Sequence, residues 1–244
     1  MSISKEKLQG NLNKKYTFEL VENLDSTMDY IKKYVDERKF NHIVIAKEDG
    51  GKDGGKSIST INMSLLIKDD ISIEEVLKIN TLTSTAVYSA LKELYDIDLG
   101  LKWLNDLILD DKKVGEILCQ YPQTAGNKLD YLIINVVLNT KKVEISGNLA
   151  EIRAIESVRN IQIDENLLLI KIVDYIDKYL RDDSTYLEIY KQASSIIGKE
   201  VDVYTNNESF SAVALLVNKY GYLLLDKSGE IVPLLSGKVS IKKK

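Results

Sequence analysis

Residues 101–118, LKWLNDLILDDKKVGEIL, constrain the fold more than any other part of the chain, because they crowd a lysine, an indole, an amide and a carboxylate into five residues between apolar flanks. Side chains alternate along an extended backbone, so Leu101 and Trp103 share one face and Lys102 takes the other. Asn105 and Asp106 suit a turn, residues 106–109 a second short strand, and Asp110-Asp111 a polar bend into a third run over 113–121. Parallel pairing needs a crossover of about a dozen residues or more, and these connections are too short for one. The segment therefore predicts an antiparallel sheet that holds Lys102 beside a tight turn.

Upstream and downstream, helices alternate with strands. Asp25 or Ser26 can cap a helix whose Met28, Ile31, Tyr34 and Val35 share a face, and 42–46 reads as an apolar strand. Ser72 and Glu75 fit a capping box ahead of Val76, Leu77, Ala86, Val87, Ala90, Leu91 and Leu94, which repeat at helical spacing toward Tyr95, with the β-branched stretch 81–85 the weakest helix former of the run. A strand near Leu132 joins the sheet, and helices over 164–180 and 184–195 lead to Gly198. Beyond it only short strands are expected, over 200–204, 209–217, 222–226, 230–234 and 238–241. Turn signals at Asn206-Asn207, Tyr220-Gly221, Ser228-Gly229 and Ser236-Gly237 separate them. This pattern predicts a large domain over 1–197 and a small β-barrel over 198–244.

Composition narrows the class without naming it. With 244 residues, 44% hydrophobic and 29% charged, the chain can bury a core and divide into a large and a small domain. One cysteine, Cys119, excludes an internal disulfide framework, and the opening MSISKEK has no apolar signal-peptide core, so a cytoplasmic location is expected. The apolar run 131–138 falls far below the roughly 18 residues of a membrane span. A net charge of −4 disfavours a nonspecific nucleic-acid binder. His42 is the lone histidine, which argues against a nucleophilic triad, and no His/Cys cluster has zinc spacing. Cys119, in an apolar strand, reads as packing.

The central segment resembles the KWPNDL and KVGGIL motifs of biotin protein ligases. In the same order, LDSTM at 24–28 is similar to that family's DSTN segment, GGKDGGK at 50–56 stands in the place of its Gly/Arg-rich loop, and NVVLN at 135–139 in the place of GIGIN. The tail, down to SGKVS, is similar to the family's small carboxy-terminal domain. The resemblance implies an α+β fold: a mixed-sheet catalytic domain related to class II aminoacyl-tRNA synthetases, followed by an SH3-like barrel. It implies ATP-dependent activation of biotin and transfer to a lysine of a biotin carboxyl carrier protein or domain, with Mg²⁺ arriving on the ATP phosphates and no metal site of the protein's own. It also leaves room for a homodimer. Only about 20 residues precede LDST, too few for a helix-turn-helix, so no DNA partner and no membrane are expected.

The same resemblance assigns roles. Lys102 is the catalytic cation, since fixed positive charge stabilises the oxyanions of adenylation and transfer. A lysine by itself is most often one half of a surface ion pair, and it is the setting in KWLND that argues otherwise. Ser26, Thr27, Met28, Gly50, Gly51, Lys52, Asp53, Lys56, Trp103, Asn105, Asp106, Lys113, Gly115 and Asn139 are expected to contact biotin or the adenylate, with the glycine-rich loop closing as a lid. Trp103 equally suits a core position.

Several positions depart from the motifs. Aligning Gly55-Lys56 with the end of the loop puts Asp53 where an arginine is expected, and a shifted register offers Lys52; Ile58 stands where a tryptophan follows the loop. Leu104 replaces the proline of KWPND, Glu116 the second glycine of KVGGIL, Met28 the asparagine of DSTN, and Asn135 and Val137 the glycines of GIGIN. A lipoate or octanoate ligase relative, or a noncatalytic carrier-binding homologue, are the alternatives these changes leave open.

Overall fold

The computed structural model describes residues 3–36, 41–49, 61–68, 71–122, 126–141, 153–182, 185–205, 208–235 and 237–241. In chain order the elements are α1 (Lys5–Gln9), β1 (Thr17–Leu24), α2 (Thr27–Lys32), β2 (His42–Asp49), β3 (Ile61–Ile67), β4 (Ile71–Ser72), α3 (Glu75–Tyr95), β5 (Gly100–Lys102), β6 (Asp106–Leu109), β7 (Lys112–Gln120), β8 (Lys128–Leu129) and β9 (Leu132–Leu138). There follow α4 (Ile155–Arg159), α5 (Glu165–Arg181), α6 (Tyr186–Ala193), β10 (Glu200–Tyr204), β11 (Ser209–Val217), β12 (Leu223–Lys227), β13 (Glu230–Leu234) and β14 (Lys238–Ile241).

Seven strands make the main sheet in the order β1-β2-β3-β9-β7-β6-β5. The pair β1–β2 is parallel and the other five pairings are antiparallel, so the sheet is mixed. The alternation of side chains then sorts the strands into two faces. Ile61, Met63, Leu65 and Ile67 of β3, with Ile134, Val136 and Leu138 of β9 and Ile117 of β7, join the large core that α3, α5 and α6 cover. The opposite face carries Asn62, Ser64, Ile133 and Asn135, and among the described residues α2 packs on it, through Ile31 and Val35 against Val44, Leu66 and Ile133.

The long helix α3 runs unbroken through its β-branched middle because its hydroxyls bond back along the helix. Thr83 donates to Ile79 O at 2.8 Å, Ser84 to Asn80 O at 3.0 Å and Thr85 to Thr81 O at 2.9 Å, so these buried groups are satisfied inside the helix. Glu75 reaches back to Ser72, accepting from its backbone N–H at 2.9 Å and its hydroxyl at 3.0 Å. Ser26 caps α2 by accepting from Asp29 N at 3.0 Å, and Asp164 caps α5 by accepting from Asn166 N at 3.0 Å. On α5, Asp177 is buried, and the Tyr16 hydroxyl (2.7 Å), the Asn13 amide (2.5 Å) and Lys15 (2.6 Å) hold its carboxylate.

The carboxy-terminal strands form an antiparallel five-stranded sheet in the order β13-β12-β11-β10-β14. This fits an SH3-like domain, but among the described residues β13 and β14 are not paired, so the sheet is open where a closed barrel is expected from the sequence. Its core, Val201, Val203, Ala212, Ala214, Leu223, Leu225 and Val239, is completed from outside by Ile196 and by Trp103. Gly221, at φ +82°, turns the chain between β11 and β12 directly against α3. A Cβ there would sit 2.4 Å from the backbone carbon of Leu77, so this position requires glycine for conformation and for space. Among the described residues no helix is long and apolar enough to cross a membrane.

Candidate functional site

The face of the main sheet opposite the α3, α5 and α6 layer carries one continuous cross-strand row. Lys102 of β5 lies opposite Asp106 of β6, Asp106 opposite Glu116 of β7, Glu116 opposite Val137 of β9, and Val137 opposite Asn62 of β3. Directly opposed residues project to the same face. Four inter-strand steps of about 4.8 Å make the row ~19 Å long. A second row beside it runs Leu118, Asn135, Ser64. One end of the face is charged and the other is polar without charge.

At the charged end, Asp106 is shared by two lysines. Lys113 Nζ is 2.8 Å from its Oδ1 and 2.5 Å from Glu116 Oε2, whereas Lys102 Nζ stands 3.6 Å from Asp106 Oδ2. Burial works against the Lys113 ammonium, but its bonds to Asp106 and Glu116 prevail and hold it above the ordinary lysine value. Two carboxylates thus neutralise Lys113. Lys102 shares one carboxylate at longer range and is the less neutralised of the two. The Trp103–Leu104 peptide that follows it is cis.

At the polar end, Thr27, Asn62, Ser64 and Asn135 form a buried network. The Thr27 hydroxyl donates to Asn62 Oδ1 at 2.7 Å and lies 2.8 Å from Ser64 Oγ. Asn135 Nδ2 donates toward Thr27 Oγ1 and Asn62 Oδ1, both at 3.0 Å, Ser64 Oγ at 3.1 Å and Met63 O at 3.2 Å. Thr27 and Ser64 are fully buried, and Asn62 and Asn135 nearly so.

The fold brings Ser26, Thr27, Lys102, Asp106 and Lys113 to this face, but in differing capacities. Ser26 spends its hydroxyl oxygen on the α2 cap. Met28 packs partly buried beside Ile31 and Val44. Asn105 sits at the turn, its carbonyl accepting from Ile117 N at 2.9 Å. Asn139 links β7 to α4, donating from its backbone N to Val114 O at 2.7 Å and accepting from Ile155 N at 2.8 Å. Gly115 is needed for sheet packing: a Cβ there would stand 2.5 Å from Val137 O. Trp103 leaves the face altogether, 2% exposed in the core of the carboxy-terminal sheet, its indole N–H donating to Gly221 O at 3.0 Å. Gly50, Gly51, Lys52, Asp53 and Lys56, and the lid expected of them, lie outside the described residues.

Asn62 and Ser64 escape notice in the sequence, although two polar residues at alternate positions in the apolar run INMSLLI are the signal of a second, non-core face. Cys119 packs against the large core, and desolvation pushes its thiol up to about 12, which removes it as a nucleophile. Among the described residues no group of three or more His, Cys, Asp or Glu side chains could hold a metal, and Asp106 and Glu116 are both engaged by Lys113.

Residues 20–139 match the model of the biotin/lipoate A/B protein ligase family. Those residues carry that family's domain. It is 24% identical over 189 residues to the bifunctional ligase/repressor BirA of Bacillus subtilis, covering 73% of this chain but 57% of that protein. To BirA of Escherichia coli it is 23% identical over 235 residues, covering 90% of this chain and 72% of the relative. Among solved structures it is similar to the biotin protein ligase from Aquifex aeolicus in complex with biotin and ATP, with a TM-score of 0.77, 20% identity, and coverage of 93% of this chain and 99% of that one. The α+β fold with its mixed sheet and appended antiparallel sheet is the fold of these ligases.

Proposed function

We propose that the protein is an ATP-dependent biotin protein ligase that forms biotinyl-adenylate and transfers biotin to a lysine of a biotin carboxyl carrier protein or domain. The observation that carries this reading is the row from Lys102 to Asn62, on the sheet face opposite the α3, α5 and α6 layer. The family's domain over 20–139 supports it, as does a fold shared with a ligase that binds biotin and ATP.

In the first step a biotin carboxylate oxygen attacks the α-phosphorus of ATP, the bond to the β-phosphate oxygen breaks, and pyrophosphate leaves. In the second the ε-amine of a carrier lysine attacks the acyl carbon, AMP leaves, and the amine gives up a proton. Both transition states gather negative charge on oxygen, and a fixed cation stabilises it. Lys102 takes this role because Lys113 is already neutralised by two carboxylates. Lys113 and Asp106 act instead as positioning residues that fix the Lys102 side chain. In this reading Mg²⁺ arrives with ATP, bound through phosphates and water. In the same reading residues 198–244 are a separate domain, and the protein works in the cytoplasm.

Single-turnover adenylation tests the role. Lys102→Ala should cut biotinyl-adenylate formation by at least about a hundredfold, the scale of losing one preorganised donor, with the unfolding midpoint unchanged. Near-normal adenylation in the folded variant would exclude it. A noncatalytic carrier-binding reading is favoured by one observation, the neutralisation of Lys113 by Glu116. Carrier binding without nucleotide binding, measured by calorimetry with biotin, ATP and Mg²⁺, would establish that reading instead.

A further inference from the structure

We propose that the cavity between the first turns of α3 and the carboxy-terminal end of α5 is a binding site for a medium-chain aliphatic monocarboxylate. It lies on the helical side of the main sheet, away from the row between Lys102 and Asn62, so the inference does not rest on the ligase reading.

The cavity measures about 230 Å³. Its floor is apolar, built from Ile67 at the end of β3, Ile71 of β4, Ile79 and Leu82 of α3 and Tyr179 of α5, all members of the large core. The Tyr179 hydroxyl is already paired with Ser89 Oγ, 2.8 Å away. Close-packed interiors leave few voids larger than a water molecule, so a cleft of this size that reaches core side chains has room for a guest. Such a floor rewards methylenes and would strand a polar group. At ~30 Å³ for each water-sized group, the space holds roughly seven or eight of them, the bulk of a heptanoate-sized chain.

The rim sets the charge of that guest. Lys15, Lys78 and Arg181 bring three cations to it and Glu75 one carboxylate. Behind the rim the buried Asp177 carboxylate takes up the Lys15 ammonium at 2.6 Å. Three cations against these two carboxylates leave one net positive charge, which a single carboxylate balances and a phosphate ester, carrying nearly two negative charges, would exceed. Glu75 is fixed on the α3 side by Ser72, whose backbone N–H and hydroxyl both donate to Oε2, at 2.9 and 3.0 Å. Arg181 closes α5 on the other side. Its Nε donates to Asp177 O at 3.2 Å, and among the described residues its guanidinium makes no other hydrogen bond. Both Nη groups therefore remain for a ligand, as the planar fork that grips a carboxylate in two places. A carboxylate on Arg181 with its chain laid over Ile79 and Leu82 uses the rim and the floor together.

Calorimetric titration of the full chain with heptanoate tests the site. One heptanoate should bind per chain, and affinity should rise about fourfold for each methylene from propionate to heptanoate, the effect of burying one such group. Arg181→Gln should weaken heptanoate at least tenfold, and Lys102→Ala should leave it unchanged. Lys78→Gln serves in place of Arg181→Gln if that variant lacks a cooperative unfolding transition. Absence of saturable binding, an affinity flat across the chain-length series, or equal affinity in the folded rim variant and the wild type would each overturn the inference. Binding lost in Lys102→Ala and retained in the rim variant would place the acid on the other face of the sheet and overturn it as well.

Discussion

Replacing Trp103 separates a structural role from a ligand-contacting one. The indole is 2% exposed, lies among Ile196, Val201, Leu223 and Leu225, and donates its N–H to Gly221 O at 3.0 Å. Trp103→Ala removes the largest side chain of this small core, and large-to-alanine changes at such sites cost about 3–5 kcal/mol. Trp103→Phe keeps most of the apolar volume but strands the Gly221 carbonyl against α3, a loss of about 1–3 kcal/mol. For a chain of this length each kcal/mol lowers the unfolding midpoint by about 2–4 °C. The phenylalanine variant should therefore melt roughly 2–12 °C lower, and the alanine variant lower still. Circular dichroism follows all three proteins. In the wild type, Trp103 is the lone tryptophan, so its fluorescence reports the docking of the carboxy-terminal sheet. ATP affinity at a temperature where Trp103→Phe is folded should match the wild type. Unchanged melting with a tenfold weaker affinity for ATP would refute this reasoning and return Trp103 to the ligand wall.

Two further outcomes follow from single residues. Gly115→Ala forces a Cβ to within 2.5 Å of Val137 O, so it should lower stability by about 1–3 kcal/mol in urea titrations; equal midpoints would show that β7 and β9 separate freely there. Burial alone would raise the Asp164 carboxyl, but hydrogen bonds from Asn166 and Leu167 at the α5 cap hold it below its ordinary value. Its stabilisation is therefore present above the unfolded value near pH 4 and is lost as pH falls through the folded one. Asp164→Ala should cost about 1 kcal/mol at pH 7, with a gap from the wild type that narrows below pH ~4 in melting curves, and a gap constant down to pH 2 would exclude the cap.

Much of this architecture is legible in the residues. The carboxy-terminal strands start and stop where Asn, Ser and Gly dipeptides interrupt β-branched runs, and Gly221, Gly229 and Gly237 do adopt positive φ. The hairpins around KWLND follow from connection length. What escaped notice depended on partners distant in sequence. β1 alternates Phe18 and Leu20 with Glu19, yet its parallel pairing with β2 is dictated by packing that no local pattern encodes. The helical middle of α3 defies propensity because hydroxyl-to-carbonyl bonds satisfy its threonines. Trp103 shares with Leu101 a side of the chain away from Lys102, as alternation requires, but the two enter different cores, since only tertiary structure brings Ile196 and the Gly221 turn beside the indole. Asn135 reads in sequence as a departure from a glycine motif, and only the fold reveals the three oxygens from Thr27, Asn62 and Ser64 that give its amide a reason.

The polarity of the face also bears on the proposed reaction. Of the two lysines beside Asp106, Lys102 is the less neutralised and stands on β5, and the buried polar pair Asn62 and Ser64 stands on β3, four strands away along a row of ~19 Å. Between the ends lie Glu116 and Val137, opposite one another on adjacent strands. Glu116 holds Lys113, so in the proposed reading it keeps a second cation from competing with Lys102 for the carboxylate. In the proposed reaction Lys102 is the cation toward which the reacting carboxylate is drawn, because Lys113 is already held by Asp106 and Glu116.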